Sequence, residues 1–268
     1  MYPTPLPLAA DRAAVALDEP FGPDADHDPD ARADDLVREA LALLADDPAA
    51  AKAGLRPGAV DGIDDDAARR LLRSLLTVRE SGPLSAEAAR VLDALLADER
   101  LARGITDATS LPTVLDTLPH AAYHAADRTV LWQGDITTLG ADAVVNAANS
   151  ALLGCFRPMP PCIDNALHAA AGPRLRDDCH TIMSLQRHPE PTGTAKITHG
   201  HHLPARYVLH TGPIVDGPVL PQHQQALAPS YRACLDLAAE AAASAASLSA
   251  ASAPASSATP SCPPHGPH

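Results

Sequence analysis

Two carboxamides close a short apolar run: Ala143-Val144-Val145 leads into Asn146, and Asn149 follows shortly after. A carboxamide is neutral, both donates and accepts, and can hold a hydroxyl in one fixed pose. Just upstream, Gly134-Asp135-Ile136-Thr137 turns the chain. An ionised aspartate is acceptor-only, so Asp135 can serve a ligand's donor, and it equally suits an ordinary turn. Downstream, Ile163-Asp164-Asn165 opens a helix, whose N-terminal end favours anions. Cys155 and Cys162 are a C-x6-C pair, which by spacing alone describes two loop thiols as readily as a metal site. His199, His201 and His202, with His210 beyond, invite a metal reading.

These residues need elements that hold them. Leu131 to Asn149 reads as strand, tight polar loop, strand, polar loop. In open α/β sheets ligands lie beyond the carboxyl ends of strands, where small residues let backbone N–H groups approach a phosphate. From Thr129 onward short strands alternate with helices, the pattern of an α/β domain. Cys162 to Leu185 reads as helix interrupted near Gly172-Pro173, Ala195–Thr198 and Tyr207–Thr211 as strands, and Gln222 to about Ala243 as helix. His168 lies one helical turn after Asp164, on the same face, and reads as a packed residue. Ahead of this region three amphipathic helices are expected. The first spans Asp30–Leu44, the second follows Asp64-Asp65-Asp66, and the third is capped by Ser85. Their leucine stripes are core.

The stretch LWQGDITTLGADAVVNAAN resembles the macrodomain family, which binds ADP-ribose. Ser150-Ala151-Leu152-Leu153-Gly154-Cys155-Phe156 and Cys162-Ile163-Asp164-Asn165-Ala166-Leu167-His168 are similar to its zinc-containing branch, the protein-ADP-ribose hydrolases of bacteria and fungi. The likeness continues through Thr192–Thr198 and Leu203–Thr211, and upstream to Ala68–Leu75, which is similar to that branch's helical extension. It implies a three-layer α/β/α fold with a mixed central sheet behind an N-terminal helical extension. It implies adenine at Asp135 and Ile136, ligand contacts at Asn146, Ile163 and Asp164, and Asn149 at the distal ribose, with Asn149 and Asp164 as the catalytic pair. It also implies one zinc ion on Cys155 and Cys162. Pro160 stands where the family carries its third ligand, a histidine, and proline has no ligand atom. A substitute would have to come from His168, His180 or the His199–His202 segment, which in the family is a loop without a metal role. The implied activity is hydrolysis of mono-ADP-ribose from protein side chains. The implied partners are a sirtuin-like transferase and a lipoyl-carrier protein. Binding without catalysis and an inactive remnant are the alternatives.

The chain has 268 residues and a net charge of −13. Residues 1–50 hold 12 acids against Arg12, Arg32 and Arg38, which argues against nucleic acid as a partner. Five scattered cysteines suggest no disulfide framework, no run is long and apolar enough to span a membrane, and no secretory signal is visible, so a cytoplasmic location is expected. The expected organisation is an acidic, disordered segment (1–29), a helical extension (30–120), an incomplete macrodomain (121–240) and a low-complexity tail (241–268). The tail, rich in Ala, Ser and Pro, cannot bury enough apolar area to order itself. It reads either as a natural disordered tail or as the product of a shifted frame that removed a buried strand and the diphosphate loop.

Overall fold

The computed structural model describes residues 4–22, 32–56, 58, 60, 62–158, 162–212, 221–244 and 250–251. Helices α1 (Leu8–Ala14), α2 (Ala33–Leu43), α3 (Ala49–Ala53), α4 (Asp65–Val78) and α5 (Ala86–Arg103) come first. Then follow β1 (Thr106–Asp107), α6 (Val114–Thr117), β2 (Leu139–Gly140) and β3 (Ala143–Ala147). The remainder is α7 (Ile163–Ala171), α8 (Pro173–Gln186), β4 (Ala195–His199), β5 (Tyr207–Thr211), α9 (Pro221–Ser244) and β6 (Ala250–Ala251).

The extension is α2 to α5 around one apolar core. Leu41, Leu72, Leu75, Val91, Leu92 and Leu95 meet there and are fully buried. Burying each such side chain contributes about 1.5–3 kcal/mol. The Ser85 cap read from the sequence is present, and one of the acids before α4 caps that helix as well. The Asp64 carboxylate accepts from Ala67 N and the Ser85 hydroxyl from Ala88 N, meeting N–H groups that a helix start leaves unpaired.

The main sheet has strand order β4-β5-β3-β6 and is mixed: β3 runs parallel to β5 and β6, while β4 is antiparallel to β5. Side chains alternate across it. Val144 and Val208 meet Leu167 and Leu175 of α7 and α8 on one face. Ala143, Tyr207 and Leu209 meet Leu8, Leu17 and Ala238 on the other. The three layers expected from the sequence are therefore present. The break between α7 and α8 also falls where expected. Gly172 sits there at φ +89°, and Pro173 opens α8, where a missing N–H costs nothing.

Three expectations need correction. Residues 4–22, read as disordered, fold onto the sheet. Leu8 and Leu17 bury there, and Asp11 pairs with the fully buried Lys196 at 3.2 Å. That long-range pairing is invisible to local composition. The rest of the acidic segment up to residue 31 lies outside the described residues. Val130-Leu131-Trp132 is not a strand of the sheet. Val130 makes only an isolated bridge with Thr113, and Leu131 is 80% exposed. The backbone just before it serves α6 instead, because Val114 N donates to Thr129 O and Leu115 N to Ala126 O. Finally, a strand does follow α9: β6, two residues long, pairs with Ala143 and Val144.

Burial raises the Asp11 carboxyl to about 6, although Lys196 pulls it down. A carboxyl raised in the fold contributes stability that is full below its unfolded value and lost as pH rises through about 6. In urea unfolding, Asp11→Asn should therefore gain on the parent chain as pH goes from 4 to 7. Lys196→Met, which strands the carboxyl, should cost about 3–5 kcal/mol at pH 7, and more than the Asp11→Leu/Lys196→Met double variant.

Candidate functional site

The β3–β5 register sets Asn146 opposite His210, on the face shared by Val144 and Val208. Asp164, at the start of α7, comes down onto the same spot. Asn146 Nδ2 donates to Asp164 Oδ1 at 2.8 Å and lies 3.2 Å from His210 Nδ1. All three side chains are buried. Burial pushes the Asp164 carboxyl up to about 7, against the lowering effect of the Asn146 bond. Burial holds His210 down at about 3 and His168, one turn along α7, well below its ordinary value. The pocket thus disfavours charge of either sign. Asn146 Oδ1 and Asp164 Oδ2 are buried with no hydrogen-bond partner among the described residues. Two acceptors without donors are what a hydroxyl-bearing ligand or water would satisfy.

Asn149 stands in the next loop, where its carboxamide organises backbone. Nδ2 donates to Gly154 O at 2.9 Å, and Oδ1 accepts from Ala151 N at 2.9 Å. Leu152 and Phe156 hold φ values of +60° and +50°, a conformation that costs non-glycine residues energy. Gly154 holds φ +80°, which favours glycine, and a Cβ there would crowd Arg176 Nη2 at 3.2 Å.

That loop brings Cys155 to Cys162, with sulfurs 3.9 Å apart. Cys162 Sγ also caps α7, accepting from Asn165 N at 3.4 Å. Two thiolates on a tetrahedral zinc with Zn–S near 2.3 Å stand about 3.8 Å apart, so the pair fits as two ligands of such an ion. A catalytic zinc takes three protein ligands. Among the described residues no group of three or more His, Cys, Asp or Glu is placed to hold a metal ion, and Pro160 lies outside them. The described donor set is one short, and no chemistry is routed through a metal here. Of the proposed substitutes, His168 has both ring nitrogens buried without a hydrogen-bond partner among the described residues, Nε2 lying 3.5 Å from Asp164 Oδ1, and the others are engaged elsewhere. His201 Nε2 and His202 Nε2 each lie 2.9 Å from a carboxylate, of Asp178 and Asp93 respectively. His199 Nε2 is 3.2 Å from Ala16 O, and His180 Nε2 is 3.4 Å from Ser184 Oγ.

Asp135 lies apart from this group. Its Oδ1 accepts from Thr137 N at 2.9 Å and from Thr137 Oγ1 at 2.8 Å, so it is in part a turn aspartate. It also lines a cleft of about 160 Å³ between the extension and α7, together with Arg69, Arg73, Glu99, Arg103 and Arg176. Ile136 and Ile163 pack their side chains beside the α7 core. The sequence reading gave these arginines no role. Their signal was present: Arg69 and Arg73 stand one turn apart on α4, in a chain of strongly negative net charge.

Arg176 joins the two halves. Nε donates to Leu153 O at 2.8 Å, and Nη1 donates to Leu76 O at 3.0 Å and to Arg79 O. Its guanidinium also stacks on Phe156, 4.6 Å from the ring centre. One side chain therefore ties α4 and the residues after it to the Cys155 loop.

Together these elements define a mixed-sheet α/β domain with a polar crevice at one sheet end and a helical extension closing one side. Residues 145–257, from the middle of β3 onward, match the Macro domain family model. A Treponema medium protein named protein-ADP-ribose hydrolase is 46% identical over 178 residues, covering 66% of this chain and 66% of its own. A Staphylococcus aureus protein of the same name is 43% identical over 170 residues, covering 63% and 60%. The chain thus spans about two thirds or less of the curated relatives it matches. A Trypanosoma brucei macrodomain solved in complex with ADP-ribose aligns at 30% identity over 62% of this chain and 67% of that one, with a TM-score of 0.42.

Replacing Arg176 with Ala removes the donor shared by three carbonyls. We expect a loss of about 3 kcal/mol or more in chemical unfolding, and early proteolytic cleavage in the 150–158 loop. Arg176→Lys, which cannot fork, should recover only part of it.

Proposed function

We propose that this chain binds ADP-ribose and hydrolyses its bond to a modified protein side chain. The observation that carries the reading is the buried Asn146–Asp164 contact with an unpartnered oxygen on each residue, inside the Macro domain segment. The names of the relatives that share more than two fifths of the aligned residues support the activity. In this reading the adenine end enters the arginine-lined cleft, with its amino group on Asp135 and its edge beside Ile136. The diphosphate passes the start of α7 at Ile163 and Asp164, and the distal ribose meets Asn146 and Asn149.

A carboxyl raised to about 7 can hold or release a proton near neutrality, the property a general acid–base group needs. Asp164 takes a proton from water as the water oxygen bonds to the anomeric carbon. The bond from that carbon to the protein side chain breaks, and the proton goes to the departing side-chain atom. Atoms balance as addition of one water. A zinc ion on Cys155 and Cys162, with a third ligand, would polarise the ribose end when bound. The protein partner would be a mono-ADP-ribosylated substrate. A sirtuin-like transferase and a lipoyl-carrier protein remain the partners that the family resemblance implies.

A second reading, an ADP-ribose-binding module without turnover, is favoured by the metal donor set falling one ligand short among the described residues. Calorimetric titration with ADP-ribose separates the outcomes. We expect saturable binding by the parent chain and at least a tenfold loss, about 1.4 kcal/mol, in Asp135→Ala. Release of ADP-ribose from a mono-ADP-ribosylated protein, abolished in Asp164→Ala, would establish the hydrolase. Binding without release or zinc would establish the module. In the latter case Pro160→His should raise the zinc content measured by atomic emission. No binding at millimolar ADP-ribose overturns both readings.

A further inference from the structure

We infer that His210 is a positioning residue that fixes which way the Asn146 carboxamide faces. With the Asn146 amide nitrogen facing the ring, the hydrogen bonds select its tautomer. Asn146 Nδ2 carries only donors, and His210 Nδ1 lies 3.2 Å from it, so Nδ1 must accept. A neutral imidazole then carries its proton on Nε2. That proton faces two acceptors, Thr198 Oγ1 at 2.9 Å and the weaker Cys179 Sγ at 3.7 Å. The Thr198 hydroxyl in turn donates to His199 O at 3.2 Å, which leaves Oγ1 free to accept. Donors thus run in one direction: from Asn146 to His210, from His210 to Thr198, from Thr198 to the backbone.

The chain of bonds occupies both Asn146 Nδ2 hydrogens, one on Asp164 Oδ1 and one on His210 Nδ1. Asn146 Oδ1 is therefore the amide atom left over. The flipped amide would put an oxygen against both the Asp164 carboxyl and Nδ1. That arrangement works only if Asp164 is protonated and the imidazole carries its proton on Nδ1, which would require Thr198 to turn its hydroxyl away from His199 O. His210 selects between the two. Of the groups assigned to the ligand it hydrogen-bonds to Asn146 alone, and it acts through that residue. The cause lies in the fold, since Asn146 and His210 are cross-strand partners on adjacent parallel strands. The consequence for affinity rests on the reading of Asn146 and Asp164 as ADP-ribose contacts.

The test has two parts. Nitrogen-15 NMR of the full chain reads the His210 tautomer without any ligand, and the Nε2–H form is expected. Titration with ADP-ribose then compares His210→Asn with His210→Gln. Asparagine keeps an acceptor where Nδ1 stood. Glutamine reaches Thr198 but offers nothing at that place. His210→Asn should bind within about threefold of the parent chain, and His210→Gln about tenfold or more weaker, with similar thermal midpoints for the two. A merely structural role would lower affinity in step with thermal stability and without regard to the acceptor, and that pattern overturns the proposal. So does an Nδ1–H tautomer. Should the parent chain fail to bind ADP-ribose, the ligand reading falls and the tautomer alone decides whether His210 sets the amide.

Discussion

The parallel register of β3 on β5 is the constraint on which the site depends. It pairs Ala143 with Tyr207 and, three steps on, Asn146 with His210. A shift by one residue would turn Asn146 and His210 toward the α1–α9 face and replace them with Val145 and Leu209. Asp164 would then meet an apolar surface, and its buried carboxyl would have no donor. The apolar steps of the two strands fix the register: Val144 and Val208 are fully buried under α7 and α8. The polar pair is carried into position by its hydrophobic neighbours. This division of labour follows from magnitudes. A buried hydrogen bond contributes about 1 kcal/mol net, whereas leaving such groups unpaired costs about 1–3 kcal/mol each. The polar pair therefore penalises a wrong register more than it favours the right one.

The extension is attached by charges set against backbone and carboxylate partners. Arg176 reaches three carbonyls on two segments, Asp93 of α5 receives Arg174 and His202, and Gly82 N donates to Asp177 at 2.9 Å. Each bond has at least one partner mostly withdrawn from water, where charge-assisted contacts are strongest and most costly to break singly. The two halves consequently share the cleft that holds Asp135. The extension is part of the site's wall.

Much of this was legible in the sequence for a definable reason. The capped helices α4 and α5, the α7–α8 break, and strands β4 and β5 are specified by local signals: an acid or serine at the first turn, glycine then proline at a junction, short β-branched runs. Asp135, Asn146 and Asp164 were each singled out by type and position. What could not be read was their grouping. Asn146 joins Asp164 through a hydrogen bond, while Asp135 stands with the extension's arginines instead. The ordered N-terminal residues were missed because their stabilising partner, Lys196, is distant in sequence. Val130–Trp132 misled because an apolar run alone does not say where its backbone bonds go. Here Trp132 folds its ring onto Gly134, a close approach that no residue with a side chain would allow.

The neutral character of the site explains the choice of residues around Asn146. A lysine or arginine at that position would have to be desolvated near His168, which burial already holds uncharged. An aspartate there would set two carboxyls against each other and drive one neutral. A carboxamide avoids both costs while still supplying two donors. It carries a liability of its own, because its oxygen and nitrogen are nearly the same size and packing alone cannot tell them apart. Only a neighbour of fixed polarity can. Asp164 supplies an acceptor when ionised but a donor when protonated, and a carboxyl near 7 is both in turn. His210 is held neutral by burial, and with the Thr198 hydroxyl directed at His199 O its single proton sits on Nε2, so Nδ1 stays an acceptor whatever Asp164 does. The histidine is therefore the partner that can keep Asn146 facing one way while Asp164 exchanges its proton.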